Sequence, residues 1–492
     1  MNKNLIKFSC LLLLSGCSFF NSKLEKPKIE KLDKFRSDTN NLNDNNINLS
    51  QSSWWSKFND KTLNTLIEKS LANNNNVQIA LANISVAEEQ LSRVKMSFVP
   101  TITLGGVAAT GQIFNSDNGL GNTPFYPIIP NPKDNNFNFY SGSIIPNYSL
   151  NFLKTFKTKD LAKENIELQK IAKDSIRLAI ISQVTTSYFT ILAMKQQLEQ
   201  QNTLISDLTQ FVEYAKIQHK YGLVAKSDIQ ENQEQLEQIK TQTSVIKNNI
   251  VQAENSLQVL MNQNPKPLYV NNNFSNLSTK GIIPSGIPSQ VLKNRPDIRQ
   301  AEEQLKLANI NIDIAASNFF PTIDITTPLG FFNSNFANLF NPSSDFWSTQ
   351  IAAYIPILNL GTFALIREKK ASYYIAYYNY IQTVKSAFAN VDNSFSNYNS
   401  VSEVLEHINN YNKIAIINND LINKKFKLGY ISLAETFSSK FTLDNSNLNL
   451  TQIKLQQLQS LILIYQALGG GYDYKNTNKI SIPNNPIINK KK

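Results

Sequence analysis

Phe98-Val99-Pro100-Thr101-Ile102 and Phe319-Phe320-Pro321-Thr322-Ile323 are one junction written twice, 221 residues apart. In each, a helical pattern runs into a proline and a β-branched run follows. Proline has no N–H to give a helix and pushes the residue before it out of the helical region, so each junction ends a helix. The Thr-Ile start after it opens a strand. The same offset aligns Leu71 with Leu292, Asn73 with Asn294, Ala80 with Ala301 and Ala87 with Ala308. The chain reads as an internal duplication.

Each copy predicts the same order: helix, β-hairpin, long helix, turn, helix. In the first copy, residues 54–285, a helix covers 61–98 and a hairpin covers 101–152, its strands at 101–114 and 137–152. A long helix follows from about Thr155 to His219. Tyr221-Gly222 breaks it, Ser227-Asp228 can cap the next helix, and that helix ends near Met261 before a connector. In the second copy, residues 286–472, a helix covers 292–318 and a hairpin covers 322–358. A second long helix covers about 362–427, Leu428-Gly429-Tyr430 turns, and a last helix runs from about Leu433 to Leu468. Phe137, Phe139, Ser141, Ser143 and Ile145 share one face of the second strand. Ile323, Ile325, Thr327, Leu329 and Phe331 share a face of the third, and Trp347, Thr349, Ile351, Ala353, Ile355 and Ile357 a face of the fourth.

The first long helix would span roughly 100 Å at 1.5 Å per residue. Val184, Ile191, Leu198, Ile205 and Val212 recur along it every seven residues. Val384, Phe388, Val391, Phe395 and Tyr398 form a comparable seam on the second. Their flanks are mostly Gln, Lys, Ser and Thr, which suits a packed array of helices with wet sides. Four strands per chain cannot close a barrel. In a bilayer an open edge leaves backbone groups unsatisfied, so membrane strands would require chains to share one barrel. Two copies give eight strands and three give twelve, and geometry permits both. A soluble two-hairpin domain on a coiled coil is the other reading.

Residues 1–16 form a secretory leader: Lys3 and Lys7, the apolar stretch Phe8 to Leu14, then Ser15-Gly16 before Cys17. Residues 17–53, rich in Asn, Lys, Ser and Asp, read as a tether, and 473–492 as a basic tail. Hydrophobic residues are 41% and charged residues 17%, so composition neither demands nor excludes a membrane. No run of 18 apolar residues predicts a membrane helix, but alternating barrel strands escape that test. The net charge of +11 is spread out, without a basic stripe interleaved with aromatics, so no nucleic-acid partner is expected. Removing the leader discards Cys10 and leaves one cysteine, so no intrachain disulfide is expected. The two histidines, His219 and His407, lack ligand-spaced partners, and no nucleophile elbow or phosphate loop is present. No catalytic residue, metal site or cofactor is expected.

Leu14-Ser15-Gly16-Cys17 resembles the bacterial lipobox, which implies a diacylglycerol on the Cys17 sulfur and an acyl chain on its amine. Ser18 after it favours passage to the outer membrane. From about residue 54 to 472 the chain resembles the outer membrane factor family, the TolC- and OprM-like efflux ducts, most closely its lipoprotein branch. The motifs are Trp55-Ser56-Lys57-Phe58-Asn59-Asp60, Ser70-Leu71-Ala72-Asn73-Asn74, Arg295-Pro296-Asp297-Ile298 with Ala301-Glu302, the second Phe-Phe-Pro junction, and Tyr465-Gln466-Ala467-Leu468-Gly469-Gly470-Gly471. The resemblance implies a mostly α protein with membrane β. In it the long coiled-coil hairpins of three chains form a periplasmic α-barrel, and four strands per chain form a shared twelve-stranded outer-membrane barrel. It implies a homotrimer in outer-membrane lipid that meets a periplasmic adaptor (membrane fusion) protein and an inner-membrane pump, by the lipobox one of the resistance-nodulation-division type. The implied function is a passive exit duct for small molecules, with type I protein secretion or a periplasm-spanning structural lipoprotein as alternatives.

The resemblance places adaptor docking at the hairpin tips, on Gly222, Leu223 and Val224 and on Gly429 and Ile431. It places the closing aperture there too, with Asp228 and Glu435 as acidic rings and Tyr221, Phe426 and Tyr430 as aromatic narrowing. Asp228 and Glu435 are equally readable as a helix cap and as a carboxylate complementing a helix dipole. The pattern departs from the family at Ile431, where some members carry a basic lock, and at Ser438, where a second acid falls. It departs again where strand passes into helix, at Asn151, Leu153, Lys154 and at Leu358-Asn359-Leu360-Gly361.

Overall fold

A computed structural model of the chain describes residues 27, 35–36, 49–112, 136–270, 272–279, 282 and 289–476. Cys17, the leader, the first hairpin's loop and the end of the tail lie outside the described residues. After a 3-10 turn at Trp54–Phe58 come α1 (Lys61–Asn73), α2 (Asn75–Met96), β1 (Thr101–Gln112), β2 (Asn136–Leu150), α3 (Phe152–Lys220) and α4 (Lys226–Leu260). The second copy supplies α5 (Pro296–Ala316), β3 (Thr322–Thr326), β4 (Leu329–Asn333), β5 (Asp345–Trp347), β6 (Gln350–Tyr354), α6 (Leu360–Lys427) and α7 (Leu433–Ala467). The chain divides into one unit built on Val86–Ile166 and Leu305–Ala376 and another built on Lys26–Ser85, Glu167–Gln304 and Tyr377–Lys492.

The first unit holds the sheet. Its six segments lie in four antiparallel lanes: β1 pairs β2, β2 pairs β3 and β4 at its two ends, β3 pairs β6, and β4 pairs β5. The third strand is broken at Thr327-Pro328 and the fourth at Ser348-Thr349. Pro328 cannot donate to the ladder, nor can Pro146 in β2. Their carbonyls are used instead, accepting from Ser348 N at 3.2 Å and Thr327 N at 3.0 Å. The fourth strand ends at Tyr354, short of the expected Ile357, just before Pro356.

Register sorts the strands into two chemically different faces. Ile102, Leu104, Ile144, Pro146, Tyr148, Ile323, Ile325, Leu329, Phe331, Trp347 and Ile351 fall on one face. The row Leu104–Ile144–Leu329–Trp347 crosses all four lanes, and Leu104 and Ile351 are 82% and 69% exposed. The opposite face carries Thr101, Thr103, Ser141, Ser143, Asn147, Ser149, Thr322, Asp324, Thr326 and Gln350. Phe139, Ser141, Ser143 and Ile145 do share a face, but it is this hydroxyl-rich one. The apolar face of β2 belongs to its even-numbered residues.

An asparagine caps each helix where a strand runs into it. Asn151 Oδ1 accepts from Lys154 N at 3.0 Å, so α3 begins at Phe152, three residues before the expected Thr155. Asn359 Oδ1 accepts from Thr362 N at 3.0 Å and starts α6 at Leu360. Asn151 Nδ2 also donates to the Ser317 and Phe320 carbonyls at 3.1 and 3.3 Å, tying the start of α3 to the second Phe-Phe-Pro junction. Both strand-to-helix entries therefore carry an asparagine N-cap.

In the second unit, the helix expected over 61–98 is interrupted at Asn74, whose ψ is 129°. Asn74 Oδ1 caps Asn76 N at 2.9 Å, and Nδ2 donates to the Leu260 carbonyl at 2.9 Å. A run of four asparagines lets side-chain amides replace helical backbone bonds. On α3 the seven-residue stripe is buried at Val184, Ile191 and Val212, but Leu198 and Ile205 are half-buried and Leu204, Leu208 and Ala215 join the buried set instead. A straight helix drifts from a strict heptad by about 20° per repeat. One 18-residue window of α3 reaches a mean hydropathy of 1.3, long and apolar enough for a membrane span by composition, but it is 61% buried inside the fold.

Both ends of the chain are held in this unit. Gly471 N donates to Leu49 O at 2.8 Å and Asp473 N to Ser50 O at 2.9 Å. Trp54 stacks on Tyr465 at 4.5 Å. Arg177 Nε donates to Tyr472 O at 2.8 Å, and Asn476 Nδ2 to Asp174 Oδ1 at 3.0 Å. Phe35, only 4% exposed, packs between Phe388 and Phe395, which the sequence reads as seam positions of the second long helix. Residues 49–53 and 473–476 are thus packed parts of the fold, although the sequence reads them as tether and tail.

Asp60 joins several elements of this unit. It is buried, caps α1 through Thr62 N at 2.8 Å and Leu63 N at 3.1 Å, and accepts from Tyr188 Oη and Asn272 Nδ2 at 2.6 Å each. Burial first, then the hydrogen bond to and charge of Asp60, push the Tyr188 hydroxyl far above its ordinary pKa. Asp60→Ala removes the cap and leaves two buried donors unmade, a loss of about 3 kcal/mol. We expect a lower thermal midpoint for it, with Asp60→Asn much nearer wild type. An alanine variant melting like wild type overturns this account.

Candidate functional site

The tips that join α3 to α4 and α6 to α7 are built alike, 207 residues apart. At the first, Gly222 N donates to His219 O at 2.9 Å and Leu223 N to Gln218 O at 3.0 Å. At the second, Gly429 N donates to Phe426 O at 2.9 Å and Tyr430 N to Lys425 O at 3.0 Å. Gly222 and Gly429 have φ of 72° and 79°. This paired bonding satisfies the last helical carbonyls and needs a left-handed residue, which glycine adopts without a Cβ penalty. His219 Nδ1 donates to the Val224 carbonyl at 2.8 Å and closes the first loop. A carbonyl only accepts, so Nδ1 carries the proton.

The helices that leave the tips start differently. Ala225 occupies the N-cap of α4 and offers no side-chain acceptor. Asp228 lies in the first turn, accepts from Ser227 Oγ at 3.1 Å and is exposed. The cap expected from Ser227-Asp228 does not form, because the helix begins at Lys226 and places both side chains inside its first turn. At the matching place before α7 stands Ser432, and a capping box forms: Glu435 N donates to Ser432 Oγ at 3.3 Å and Ser432 N to Glu435 Oε1 at 3.3 Å. Glu435 is therefore tied back to the N-cap residue, while Asp228 bonds its neighbour Ser227 and lies exposed.

Tyr221 and Tyr430 are each 77% exposed, and Leu223 and Leu428 are similarly bare. Phe426 is exposed to a lesser degree, and Val224 and Ile431 are half-buried. Among the described residues no hydrogen bond or ion pair joins one tip to the other. The hairpins meet higher up, at residues the sequence does not single out. Phe211 of α3 stacks on Phe437 of α7 at 4.2 Å with rings 4° apart. Leu204, Leu208 and Val212 pack with Leu236 and Ile239 of α4 behind that stack.

Beside the stack, Lys440 Nζ lies 2.6 Å from Asp444 Oδ1 and 3.4 Å from Asp207 Oδ2, joining α7 to α3. Asp444 is buried, and neither its Oδ2 nor that of Asp207 has a hydrogen-bond partner. Burial raises the Asp444 pKa despite the Lys440 hydrogen bond and charge. Burial lowers that of Lys440, but the hydrogen bond with Asp444 and both carboxylate charges turn the net shift upward. A cavity of about 350 Å³ lined by Asp207, Phe211, Asn419, Thr436, Phe437 and Lys440 adjoins the cluster. Only the fold pairs these residues: Asp207 and Lys440 are unremarkable surface-type residues on helices far apart in sequence.

Comparison with known proteins places this geometry in a wider group. A family model described as outer membrane efflux protein matches residues 66–263 and 287–470, both halves of the duplication. The chain is 25% identical over 475 residues to the cation efflux system protein CusC of Escherichia coli O6:H1, covering 95% of this chain and 98% of that protein. It is 25% identical over 422 residues to the solvent efflux pump outer membrane protein SrpC of Pseudomonas putida, covering 84% and 86%. Its fold is similar to the crystal structure of the Campylobacter jejuni CmeC outer membrane channel, with a TM-score of 0.79 at 18% identity, covering 93% of this chain and 96% of that one.

Lys440→Met leaves Asp444 without its partner in a buried place, a loss of about 2 kcal/mol at neutral pH. A carboxyl whose folded pKa lies above its unfolded value stabilises the fold increasingly as pH falls. The deficit should therefore shrink as pH drops from 7 toward the raised Asp444 value, because a protonated Asp444 needs no cation. Melting curves across that range check this, and a deficit that stays constant or grows on acidification contradicts it.

Proposed function

The chain belongs to the outer membrane efflux protein family, and from that premise we propose that it is the passive exit duct of a tripartite efflux system. The observation that carries this reading is the sheet. Its apolar face is broad and exposed, its other face is hydroxyl-rich, and among the described residues no strand pairs with the outer edges of β1 or of β5 and β6. An apolar face of this size belongs in lipid, and lipid does not tolerate open edges. Further copies of the chain must therefore complete a barrel.

Three copies serve a duct better than two. An eight-stranded barrel is filled by its own side chains, whereas twelve strands leave a lumen. The homotrimer then carries twelve strands in the outer membrane and its long helical hairpins in the periplasm. The apolar residues at the tips, exposed Leu223 and half-buried Val224 and Ile431 around Gly222 and Gly429, suit docking of a periplasmic adaptor protein and, through it, an inner-membrane pump of the resistance-nodulation-division type. Asp228 and Glu435, with Tyr221, Phe426 and Tyr430, would border the closed aperture. Ile431 cannot supply a charged lock, and the Asp207–Lys440–Asp444 cluster is the charged contact that would have to yield when the hairpins move apart. Small molecules are the cargo that the relatives' names favour. Nothing in such a duct calls for a catalytic residue or cofactor, and Cys17 with its diacylglycerol and acyl chain adds anchorage to the outer membrane.

Protein extracted from outer membranes should crosslink as a trimer and conduct in planar bilayers, and the deletion strain should become hypersensitive to toxic small molecules. A detergent-stable monomer without conductance defeats the reading. Glu435→Cys, bridged across three copies, should block export. Bridging without any block removes Glu435 from the aperture. Cys17→Ala is expected to slow or misdirect assembly while formed channels conduct normally.

A further inference from the structure

The strand segments are nearly devoid of charge. Across β1 to β6 only Asp324 and Asp345 carry one, and no strand contains Lys or Arg. Asp345 opens β5 opposite Phe331, on the apolar face beside the turn at Pro342–Ser344. Asp324 has the other position. It lies between Ser149 on β2 and Ala352 on β6, with Asn147, Thr322, Thr326 and Gln350 on the same face. This placement follows from the alternation of the pleat, because a one-residue slip would send Asp324 to the apolar side together with every other residue of its strand. The basic group associated with this end of the sheet is Lys154. It donates to Asn318 Oδ1 at 3.2 Å and shares a cavity of about 490 Å³ with Ser149, Thr322 and Tyr354.

We propose that Asp324 sets the ion preference of the barrel lumen at its helix-proximal end, an inference that rests on the duct reading above. If the apolar face meets lipid, the hydroxyl face meets the lumen, and three copies of Asp324 form a ring of carboxylates in a wall otherwise free of charge. Such a ring concentrates cations and depletes anions. It acts over a screening length of about 10 Å at 0.1 M salt and about 3 Å at 1 M. Cationic and neutral solutes pass it more readily than anionic ones.

The test is reversal-potential measurement on the purified full-length trimer in planar bilayers, across a KCl gradient of about 10 against 100 mM, where screening is weak. The wild type should favour K⁺ over Cl⁻. Asp324→Asn should lower the permeability ratio by about twofold or more, and Asp324→Lys should reverse the preference. Lys154→Met should raise the ratio. Asp345→Asn, on the lipid side, should leave it unchanged, and all differences should vanish at about 1 M KCl. An unchanged ratio in a conducting Asp324→Asn channel overturns the proposal, whereas absence of conductance in the wild type as well overturns the duct reading instead. Asp324→Cys gives an independent check, since the sequence holds no other cysteine beyond Cys10 and Cys17. A water-soluble cationic thiol reagent should modify it in the assembled channel and lower the K⁺ preference, and failure to react places the residue away from the lumen and sinks the proposal.

Discussion

Backbone N–H and C=O groups must find partners wherever water is absent, and among the described residues two edges of the sheet have none. The apolar face that runs from Leu104 through Ile144 and Leu329 to Trp347 makes the sheet unsuited to water. The open edges of β1 and of β5 and β6 make it unsuited to lipid as a single copy. Assembly reconciles these two demands. The internal duplication serves the same end, because it gives each chain two hairpins to contribute to a shared sheet.

The two copies are equal where geometry dictates and unequal where chemistry acts. Both tips end in the same pair of backbone bonds around a left-handed glycine, and an asparagine side chain caps each helix that follows a strand. Ser432 holds Glu435 in a capping box, while Ala225 offers Asp228 no such partner and Asp228 accepts from Ser227 instead. The two carboxylates therefore begin from different degrees of restraint. One hairpin tip is built with a tighter start than the other.

Polar contacts between the long helices matter as much as greasy ones. Gln196 and Gln200 of α3 both donate to Thr451 Oγ1 of α7 at 3.1 Å, and Gln197 donates to Gln452 at 3.0 Å. Asn412 of α6 donates to Ser446 and Asn447 at 3.0 and 2.8 Å. Side-chain amides exchange such bonds with water at little net cost. A seam made of them specifies register while remaining separable, which a continuous leucine seam would not be. The Asp207–Lys440–Asp444 cluster is the charged version of the same device, with Lys440 between the two carboxylates and Asp444 Oδ2 without a hydrogen-bond partner among the described residues.

The order of elements, the duplication and the left-handed tips were legible in the sequence because each is written in local chemistry. Prolines stop helices, glycines permit positive φ, and apolar period separates helix from strand. Local chemistry also misled in places. The asparagine run around Asn74 looked helical until its side chains took the backbone's partners. The face that Phe139, Ser141, Ser143 and Ile145 share proved to be the hydroxyl-rich one, since two aromatic residues do not reveal which side the neighbouring strands present. Residues 49–53 and 473–476 read as loose ends because their partners, Leu49 with Gly471 and Ser50 with Asp473, lie more than 400 residues apart. By itself the sequence determined which segments are helix, strand and turn, since that depends on neighbours a few residues away. The tertiary structure alone decided which face of the sheet is apolar, how Lys440 came to stand between two carboxylates, and where Asp324 points its charge, because register and helix pairing are set by groups that the chain brings together only on folding.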